Sequence, residues 1–296
     1  MTWPLGLAAL LLLAGCGGRP APDALQDSGL AQATASGRQS LEFRRLKQAV
    51  GQYQQAYTLA MARDDAQAIG DCGYNLAVAQ LADNDAAGAL RTAQRTRLAL
   101  AARAAPGFAE LDLIQSAALY RLGRDAEADV LAARAQATAG SAVTSARASY
   151  VRGLIADTRG DAAGIVAALA GFGQPETPAT DWEADRDELV ARLDMLHGRY
   201  RQAAIRAQHA ADLHRAQLDY RAMADTTALA AKAMQRAGSP QEAANLYLQA
   251  GESAAARGDA ASATRWLMQV MRPGVNPDTQ RTAKDGLATL QKVPFR

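Results

Sequence analysis

The chain has 296 residues, enough for one large domain or two small ones, and its 32 basic residues nearly balance its 30 acidic residues. The net charge of +2 excludes the strongly basic surface that is typical of nucleic-acid-binding proteins. Alanine is the most frequent residue, aromatic residues make up only 5% of the chain and β-branched residues are sparse. Because this composition favours helices over strands, we expect an all-α protein.

The chain begins with an apolar run over residues 5–13. A helix needs about 20 apolar residues to cross a bilayer core, so this run is too short for a membrane span. Its length is typical of the apolar region of a secretory signal, and the small residues Ala14 and Gly15 stand where such signals are cleaved. We therefore expect residues 1–15 to be a signal peptide.

Residues 13–16, Leu-Ala-Gly-Cys, resemble the lipobox of bacterial lipoproteins. In that family the cysteine becomes the first mature residue and carries the lipid chains, including palmitate, so the resemblance implies lipidation of Cys16. Gly17 and Gly18 stand where an Asp retains family members at the inner membrane. The resemblance therefore implies an outer-membrane location, facing the periplasm. Residues 1–4 lack the usual Lys or Arg, and an ordinary signal that happens to precede Cys16 is the alternative.

Residues 16–40 are rich in Gly, Pro, Ala and Ser, with scattered charges. Segments of this composition have little apolar surface to bury and behave as flexible linkers. We expect a lipidated flexible tether over residues 16–40 and a folded domain over residues 41–296. An ordered arm is the alternative for the tether.

Short polar turns separate helical runs from residue 66 onward. They are centred on Asn84, Gly123, Gly160, Gly198, Gly238 and Gly258. The first five centres lie 37 to 40 residues apart, a period that stacked helix pairs produce. A small residue precedes each centre by seven positions, and an alanine follows all but one of them by five. Small side chains at these offsets allow the two helices of a pair to pack closely.

This pattern resembles the tetratricopeptide repeat, which has a small residue in its first helix, glycine at the turn and alanine early in its second helix. The resemblance covers most of residues 66–272 and implies a right-handed superhelix of stacked antiparallel helix pairs. The spacing exceeds the 34 residues of the family, and the Trp and Tyr positions of the consensus are mostly unmatched. Gly238 and Gly258 are only 20 residues apart. Either one of them matches by coincidence, or a capping pair closes the repeat there.

Residues 171–181 contain the longest run of helix breakers. We interpret them as a loop between repeats that divides the solenoid into two halves, with a true domain boundary as the alternative. The next helix is expected to start at Thr180. Asn276 and Pro277 predict the start of a last helix, ending near Gln291, that would cap the open end of the stack.

The sequence contains no H-E-x-x-H, C-x-x-C or P-loop motif. His209 and His214, two of the three histidines, are five positions apart and so lie on different faces of a helix, which makes them poor joint ligands. We therefore expect no catalytic residues, no metal site, no cofactor and no enzyme activity.

In the tetratricopeptide family the first helix of each pair lines a groove that binds peptides or proteins. The resemblance implies groove positions ten, six, three and two residues before each turn centre. These offsets select Tyr74, Tyr120, Arg121, Tyr150, Asp157, Glu188, Arg192, Lys232 and Arg236. Tyrosine and arginine are enriched at binding hot spots, although packing between helices is an equal alternative for each tyrosine.

We therefore expect a lipid-anchored periplasmic scaffold or adaptor that binds other envelope proteins or peptides and no nucleic acid. Its pathway would be outer-membrane, secretion, pilus or cell-wall assembly. The alternative is a periplasmic ligand-binding module or enzyme with a site between the two halves, near residues 171–181. A homodimer formed through the terminal helices is a further alternative.

Overall fold

The computed structural model describes residues 28–173 and 180–292, and α-helix is the regular secondary structure throughout these two ranges. The all-α prediction is therefore confirmed. The helices are α1 (Ser28–Glu42), α2 (Leu46–Ala62), α3 (Ala66–Ala82), α4 (Ala86–Ala101), α5 (Ala109–Arg121), α6 (Asp125–Ala137), α7 (Ala142–Thr158), α8 (Ala162–Ala170), α9 (Thr180–Leu196), α10 (Tyr200–Ala216), α11 (Tyr220–Arg236), α12 (Pro240–Ala256), α13 (Ala260–Val270) and α14 (Pro277–Lys292).

Consecutive helices pack against each other as antiparallel pairs, from α1/α2 to α13/α14, and most connections are turns of three residues. The middle residue of each three-residue turn has a positive φ. These turn centres are Arg44, Asp64, Asn84, Gly123, Gly160, Gly198, Leu218, Gly238 and Gly258. A left-handed residue after a helix reverses the chain direction within one turn, which places the next helix antiparallel to the first.

The turn between α3 and α4 shows how such a turn satisfies the backbone at both helix ends. Asn84 has a φ of 71°, and the backbone N–H of Asp85 donates to the carbonyl oxygen of Gln80 at 2.8 Å. The carboxylate of Asp85 then accepts the backbone N–H of Gly88 at 2.7 Å, capping α4. One short sequence thus ends one helix and starts the next, because it supplies a left-handed residue followed by a capping carboxylate.

All six predicted turn centres are confirmed. Both Gly238 and Gly258 are turns between helices, as either explanation of their close spacing requires. They are 20 residues apart because each repeat of helix and turn in this part of the chain consists of a 17-residue helix and a three-residue turn. The turns at Arg44, Asp64 and Leu218 were not predicted, since they lack the glycine or asparagine that usually marks a left-handed residue.

We expect Leu218→Gly to raise the free energy of unfolding by about 1 kcal/mol, because a left-handed conformation costs a residue with a side chain roughly that much. Leu218 has a φ of 60° and a side chain that is 49% exposed, so its removal sacrifices little packing. Urea denaturation followed by circular dichroism would measure the change. The reverse substitution at a matched turn, Gly198→Leu, should destabilise the protein by a similar amount, and a destabilised Leu218→Gly variant would contradict the prediction.

The predicted close approach between helices is also observed. The small residues before the turn centres, Ala77, Ser116, Gly153, Ala191, Ala231 and Gly251, are all buried. So are the residues that follow the centres, Ala89, Ala128, Ile165, Ala203, Ala243 and Ala263. The hydroxyl of Ser116 donates to the carbonyl oxygen of Ala128 at 2.7 Å, which joins the two positions directly. Close helix packing is therefore the physical reason for these residue types.

The core is a row of apolar clusters between successive helices, as in other repeat proteins. It continues past the predicted loop, since α7 and α8 both contact α9 and the rings of Phe172 and Trp182 pack edge to face with centroids 6.5 Å apart. Thr180 begins α9, and Pro277 begins the last described helix, as predicted.

The N-terminal end of the fold differs from the prediction. Residues 28–42 form α1, in which Gly37 lies against the ring of Tyr53 and the hydroxyl of Ser40 donates to the side-chain oxygen of Gln52 at 2.6 Å. The predicted flexible tether is therefore wrong for residues 28–40, because small residues at helical spacing pack closely on α2. The predicted signal peptide, Cys16 and the rest of the tether lie outside the described residues.

The described helices include none that combines the length and the apolar character needed to cross a bilayer. The first turn of the stack lies close to the turn between α10 and α11: the guanidinium of Arg44 donates to the carbonyl oxygen of Gln217 at 3.4 Å. The stack therefore curves enough to bring α2 close to α11.

Candidate functional site

A cavity of about 710 Å³ lies between α5, α7, α9 and α11, with α12 and α13 at one end. We call it the groove. The lining residues recur at intervals of three or four along each helix, such as Asp185, Glu188 and Arg192 on α9. This spacing places them on one face of the helix. The groove is thus built from one face of several successive helices.

Six of the nine predicted groove residues line this cavity. They are Tyr120, Arg121, Tyr150, Glu188, Arg192 and Lys232. Asp157 lies beside them, paired with Arg192. Tyr74 instead packs edge to face on Phe108, with ring centroids 6.2 Å apart, so packing is its role. Arg236 is exposed near the end of α11 and does not line the groove.

A hydrogen-bonded network of four side chains forms part of the groove wall. The hydroxyl of Tyr150 donates to Glu188 Oε2 at 2.7 Å, and Arg192 Nε donates to Glu188 Oε1 at 3.0 Å. Arg192 Nη1 also donates to Asp157 Oδ2 at 2.7 Å. The side chain of Glu188 is only 4% exposed. Charges this deeply buried are tolerated because each is paired and hydrogen-bonded.

The electrostatics of this network keep Tyr150 neutral and Arg192 charged. Burial raises the pKa of the Tyr150 hydroxyl, and the adjacent Glu188 carboxylate raises it further, so Tyr150 remains a neutral donor. Burial acts to lower the pKa of Arg192, but Glu188 and Asp157 outweigh burial and the pKa of Arg192 is raised. The network is therefore a rigid, charged part of the wall that links α7 to α9.

Asp225 on α11 is the most perturbed carboxyl group in the groove. Water reaches it, but protein surrounds it on most sides. Burial and, to a lesser degree, the charge of Glu188 raise the pKa of Asp225 to about 6, although Arg221, Arg121 and Arg257 act in the opposite direction. A carboxyl group with this pKa changes charge near neutral pH.

We expect Asp225→Asn to raise the melting temperature at about pH 8 and to leave it unchanged at about pH 4. The pKa of Asp225 is about 6 in the folded protein, above its unfolded value. The folded state therefore holds the proton more tightly, and stability falls as pH rises from about 4 through 6.

The amide of the Asp225→Asn variant does not ionise, so the variant avoids the stability that the wild type loses as pH rises. Differential scanning calorimetry at the two pH values would measure the difference in melting temperature. Asp212→Asn, at an acid that is 64% exposed, is the matched control and should show no pH-dependent gain. A gain of equal size at both pH values for Asp225→Asn would contradict the assigned titration.

The sequence offsets missed several groove residues. Asp185 and Asp225 line the groove and lie 13 positions before their turn centres. That is about one helical turn before the offset of ten, on the same face of the helix. Extending the pattern by one turn would have found both. Tyr247, Arg265 and Trp266 come from α12 and α13, beyond the reach of any single repeat register.

The groove combines aromatic and charged side chains with one histidine. Its described lining includes four aromatic residues and charges of both signs, but no serine, threonine or cysteine. His214 lines the groove and is buried, whereas His209 is half-exposed on α10, with its Nδ1 2.5 Å from Asp187 Oδ2. Within residues 28–173 and 180–292, no three His, Cys, Asp or Glu side chains are grouped to hold a metal ion.

No protein-family profile matches the chain, and no curated protein matches it. Among solved structures, a tetratricopeptide repeat protein from Parabacteroides merdae is similar, with 14% identity, coverage of 89% of this chain and 99% of that chain, and a TM-score of 0.47. The C-terminal part of a TPR repeat-containing protein from Cytophaga hutchinsonii has 13% identity, coverage of 87% and 99%, and a TM-score of 0.44. The TPR2AB-domain:pHSP90 complex of yeast Sti1 has 14% identity, coverage of 86% and 98%, and a TM-score of 0.35.

At these identities and scores the similarity concerns the arrangement of helices alone. The helix pairs, the left-handed turns and the close packing described above independently characterise the chain as a solenoid of stacked helix pairs, similar to tetratricopeptide repeat structures.

Proposed function

We propose that this protein is a scaffold or adaptor that binds an extended segment of another protein in the groove. The observation that carries this proposal is the composition of the groove: Tyr120, Tyr150, Tyr247 and Trp266 share one concave surface with charges of both signs. Aromatic rings and arginines provide most of the binding energy at many protein interfaces. Concave surfaces built from successive repeats are also the usual binding surfaces of solenoid proteins.

The exposed charges in the groove indicate how it would select a partner. Lys232 and Arg265 are exposed, as is Asp225, and the groove holds all three side chains. A bound segment with both acidic and basic residues would meet complementary charges. The paired and buried Glu188 and Arg192 would instead give the groove its shape.

We infer that Cys16 carries the lipid anchor and that the protein faces the periplasm from the outer membrane. The support is the lipobox-like sequence at residues 13–16, together with Gly17 and Gly18 after it. Because α1 begins at Ser28, the segment between the anchor and the solenoid reaches at most about 40 Å, shorter than a tether ending at residue 40 would allow. Cys16→Ser should move the protein from the membrane fraction to the soluble fraction, and unchanged membrane association would overturn the anchor.

Site-specific photo-crosslinking tests the groove as a protein-binding surface. A photoreactive amino acid is placed at Lys232 or at Arg265, both exposed in the groove, and cells are irradiated before extraction. We expect the same partner to be attached at both positions. Peptides covering the attached region of that partner should then bind the purified protein and block crosslinking.

The control places the same amino acid at Arg215, which is 56% exposed on α10 and does not line the groove. Crosslinks to the same partner from Arg215 as strongly as from Lys232 would locate the interface elsewhere. Absence of a common partner at both groove positions would also count against the proposal.

A periplasmic ligand-binding module, or an enzyme, is the second candidate. The observation in its favour is that His214 and the titratable Asp225 line one cavity, between helices of the two halves. The cavity lining does not include the described part of the predicted loop, residues 171–173. Native mass spectrometry of the purified protein would favour this candidate if it found a bound small molecule that Asp225→Asn releases.

A further inference from the structure

A second cavity, of about 850 Å³, lies where four helix-connecting turns converge. We call it the four-turn cavity. Its turn residues are Arg44, Asn84, Leu218 and Gly258, which belong to the turns before α2, α4, α11 and α13. The hydrogen bond from Arg44 to the carbonyl oxygen of Gln217 links two of these turns. The curvature of the stack therefore brings turns from its N-terminal part and turns from its C-terminal part together around this cavity.

The four-turn cavity has an excess of positive charge. Its basic lining residues are Arg44, Arg45, Lys47, Arg121, Arg221 and Arg257, whereas its acidic ones are Asp83, Asp219 and Asp259. Two of the acids are already engaged. Asp219 accepts the backbone N–H of Ala222 at 3.1 Å, and Asp259 both caps α13 and pairs with Arg221 at 3.2 Å. Arg221 is thus paired, and Arg121 donates to the carbonyl oxygen of Leu81 at 2.6 Å, but the basic residues of the lining still outnumber its acids.

Arg257 has hydrogen-bond donors that face no protein acceptor. Its Nε and Nη2 atoms are buried, and neither has a hydrogen-bond acceptor among the described residues. Burial lowers the pKa of Arg257 and the nearby Arg221 lowers it further, whereas the carboxylates of Asp225, Asp259 and Asp219 act in the opposite direction. Buried donors without an acceptor are costly in a folded protein, so this position is complementary to a bound anion.

The start of α2 adds further donors to the same cavity. Leu46, Lys47 and Gln48 form the first turn of α2 and line the cavity. Arg45 occupies the N-cap position and its side chain makes no capping bond, whereas Asp65 and Asp85 cap the next two helices. The uncapped first turn therefore leaves the positive end of the α2 dipole facing the cavity.

We propose that the four-turn cavity binds a small oxyanion with two or more negative charges, such as a phosphate ester or a polycarboxylate, held chiefly by Arg44 and Arg257. The four-turn cavity adjoins the groove, and Arg121, Asp219 and Arg221 line both. Arg44 and Arg257 line the four-turn cavity alone, so substitutions at these two residues separate anion binding from the binding of a protein segment in the groove. A bound anion would join the turn before α2 to the turns before α11 and α13. It would thereby link the N-terminal part of the stack to its C-terminal part.

Isothermal titration calorimetry with the purified protein tests this site. Pyrophosphate and citrate are titrated separately, with chloride used to keep the ionic strength constant. We expect saturable binding of one anion per chain, and we expect Arg257→Gln and Arg44→Gln each to weaken it about tenfold, since each removes a charged hydrogen-bond donor. Arg281→Gln, at an arginine that is 70% exposed on α14, is the matched control and should leave affinity unchanged.

Binding of pyrophosphate alone would identify phosphate chemistry, binding of citrate alone would identify carboxylate chemistry, and either result supports the site. Absence of saturable binding of both anions up to millimolar concentrations would overturn it. So would binding that persists undiminished in both arginine variants.

Circular dichroism checks that both variants are folded. Arg44 is exposed at a turn, so the Arg44→Gln variant still tests the site if Arg257→Gln unfolds the protein. Photo-crosslinking from Lys232 should be retained in both variants, which separates this site from the proposed groove function.

Discussion

Replacement of Arg192 by methionine is expected to lower the free energy of unfolding by about 3 kcal/mol, because it leaves the buried carboxylate of Glu188 and the partly buried carboxylate of Asp157 without a cation. Glu188 would lose two charged hydrogen bonds and Asp157 one. The Glu188 side chain is 4% exposed, so water cannot replace the lost partner. Methionine has a similar length and retains most of the packing of the aliphatic part of Arg192.

Urea denaturation of the Arg192→Met variant would measure this loss. Adding Glu188→Gln should recover part of it, since a neutral amide costs less to bury than an unpaired carboxylate. Arg215→Met is the control, because Arg215 and its partner Asp212 are 56% and 64% exposed and such surface pairs contribute at most about 1 kcal/mol. Equal losses in Arg192→Met and Arg215→Met would show that the network does not stabilise the groove wall.

Substitution of Gly153 by valine is expected to destabilise the protein by about 2 kcal/mol. Gly153 lies on α7 where this helix meets α8 and α9. A Cβ atom there would stand 2.6 Å from Leu189 Cδ1 and 3.1 Å from Ala168 Cβ. Leu189 is fully buried and cannot move aside without disturbing its neighbours. The added methyl groups would therefore force α7 and α9 apart beneath the groove.

The matched control for this substitution is Gly51→Ala. Gly51 also lies within a helix, but no atom lies within 4 Å of a Cβ placed there. Alanine should therefore stabilise α2 by about 0.5–1 kcal/mol, because glycine is a poor helix former. In thermal and urea denaturation, the melting temperature and the free energy of unfolding should therefore fall for Gly153→Val and rise for Gly51→Ala. A Gly153→Val variant as stable as the wild type would contradict the proposed close approach of the helices.

The sequence was a good guide wherever one residue type has a direct local cause. Glycine or asparagine marks six of the turns because the left-handed backbone there disfavours other residues. Small residues mark the helix contacts because the backbones approach closely at Gly153 and Gly251. These two local requirements were sufficient to predict the helix pairs. The groove positions implied by the resemblance to the tetratricopeptide family then selected nine residues, of which six line the groove.

The predictions were wrong or incomplete where the local signal was weak. The small residues that pack α1 onto α2 also occur in linkers, so composition alone indicated a tether over residues 28–40. The turns centred on Arg44 and Leu218 carry strained residues that sequence patterns do not mark. Tyr74 shares its position in the repeat with groove residues, yet its ring packs on Phe108, which comes from a longer connection between α4 and α5.

The sequence by itself determined the helices, the left-handed turns and the close packing within each pair, because these depend on residues that are near one another in the chain. Only the tertiary structure decided which pairs face each other across the groove. The small rotation between successive pairs accumulates along the stack. That accumulated rotation brings Arg44 to Gln217 and gathers Arg44 and Arg257 around one cavity. No local sequence pattern encodes this accumulated rotation, since it depends on the packing of every helix between these two turns.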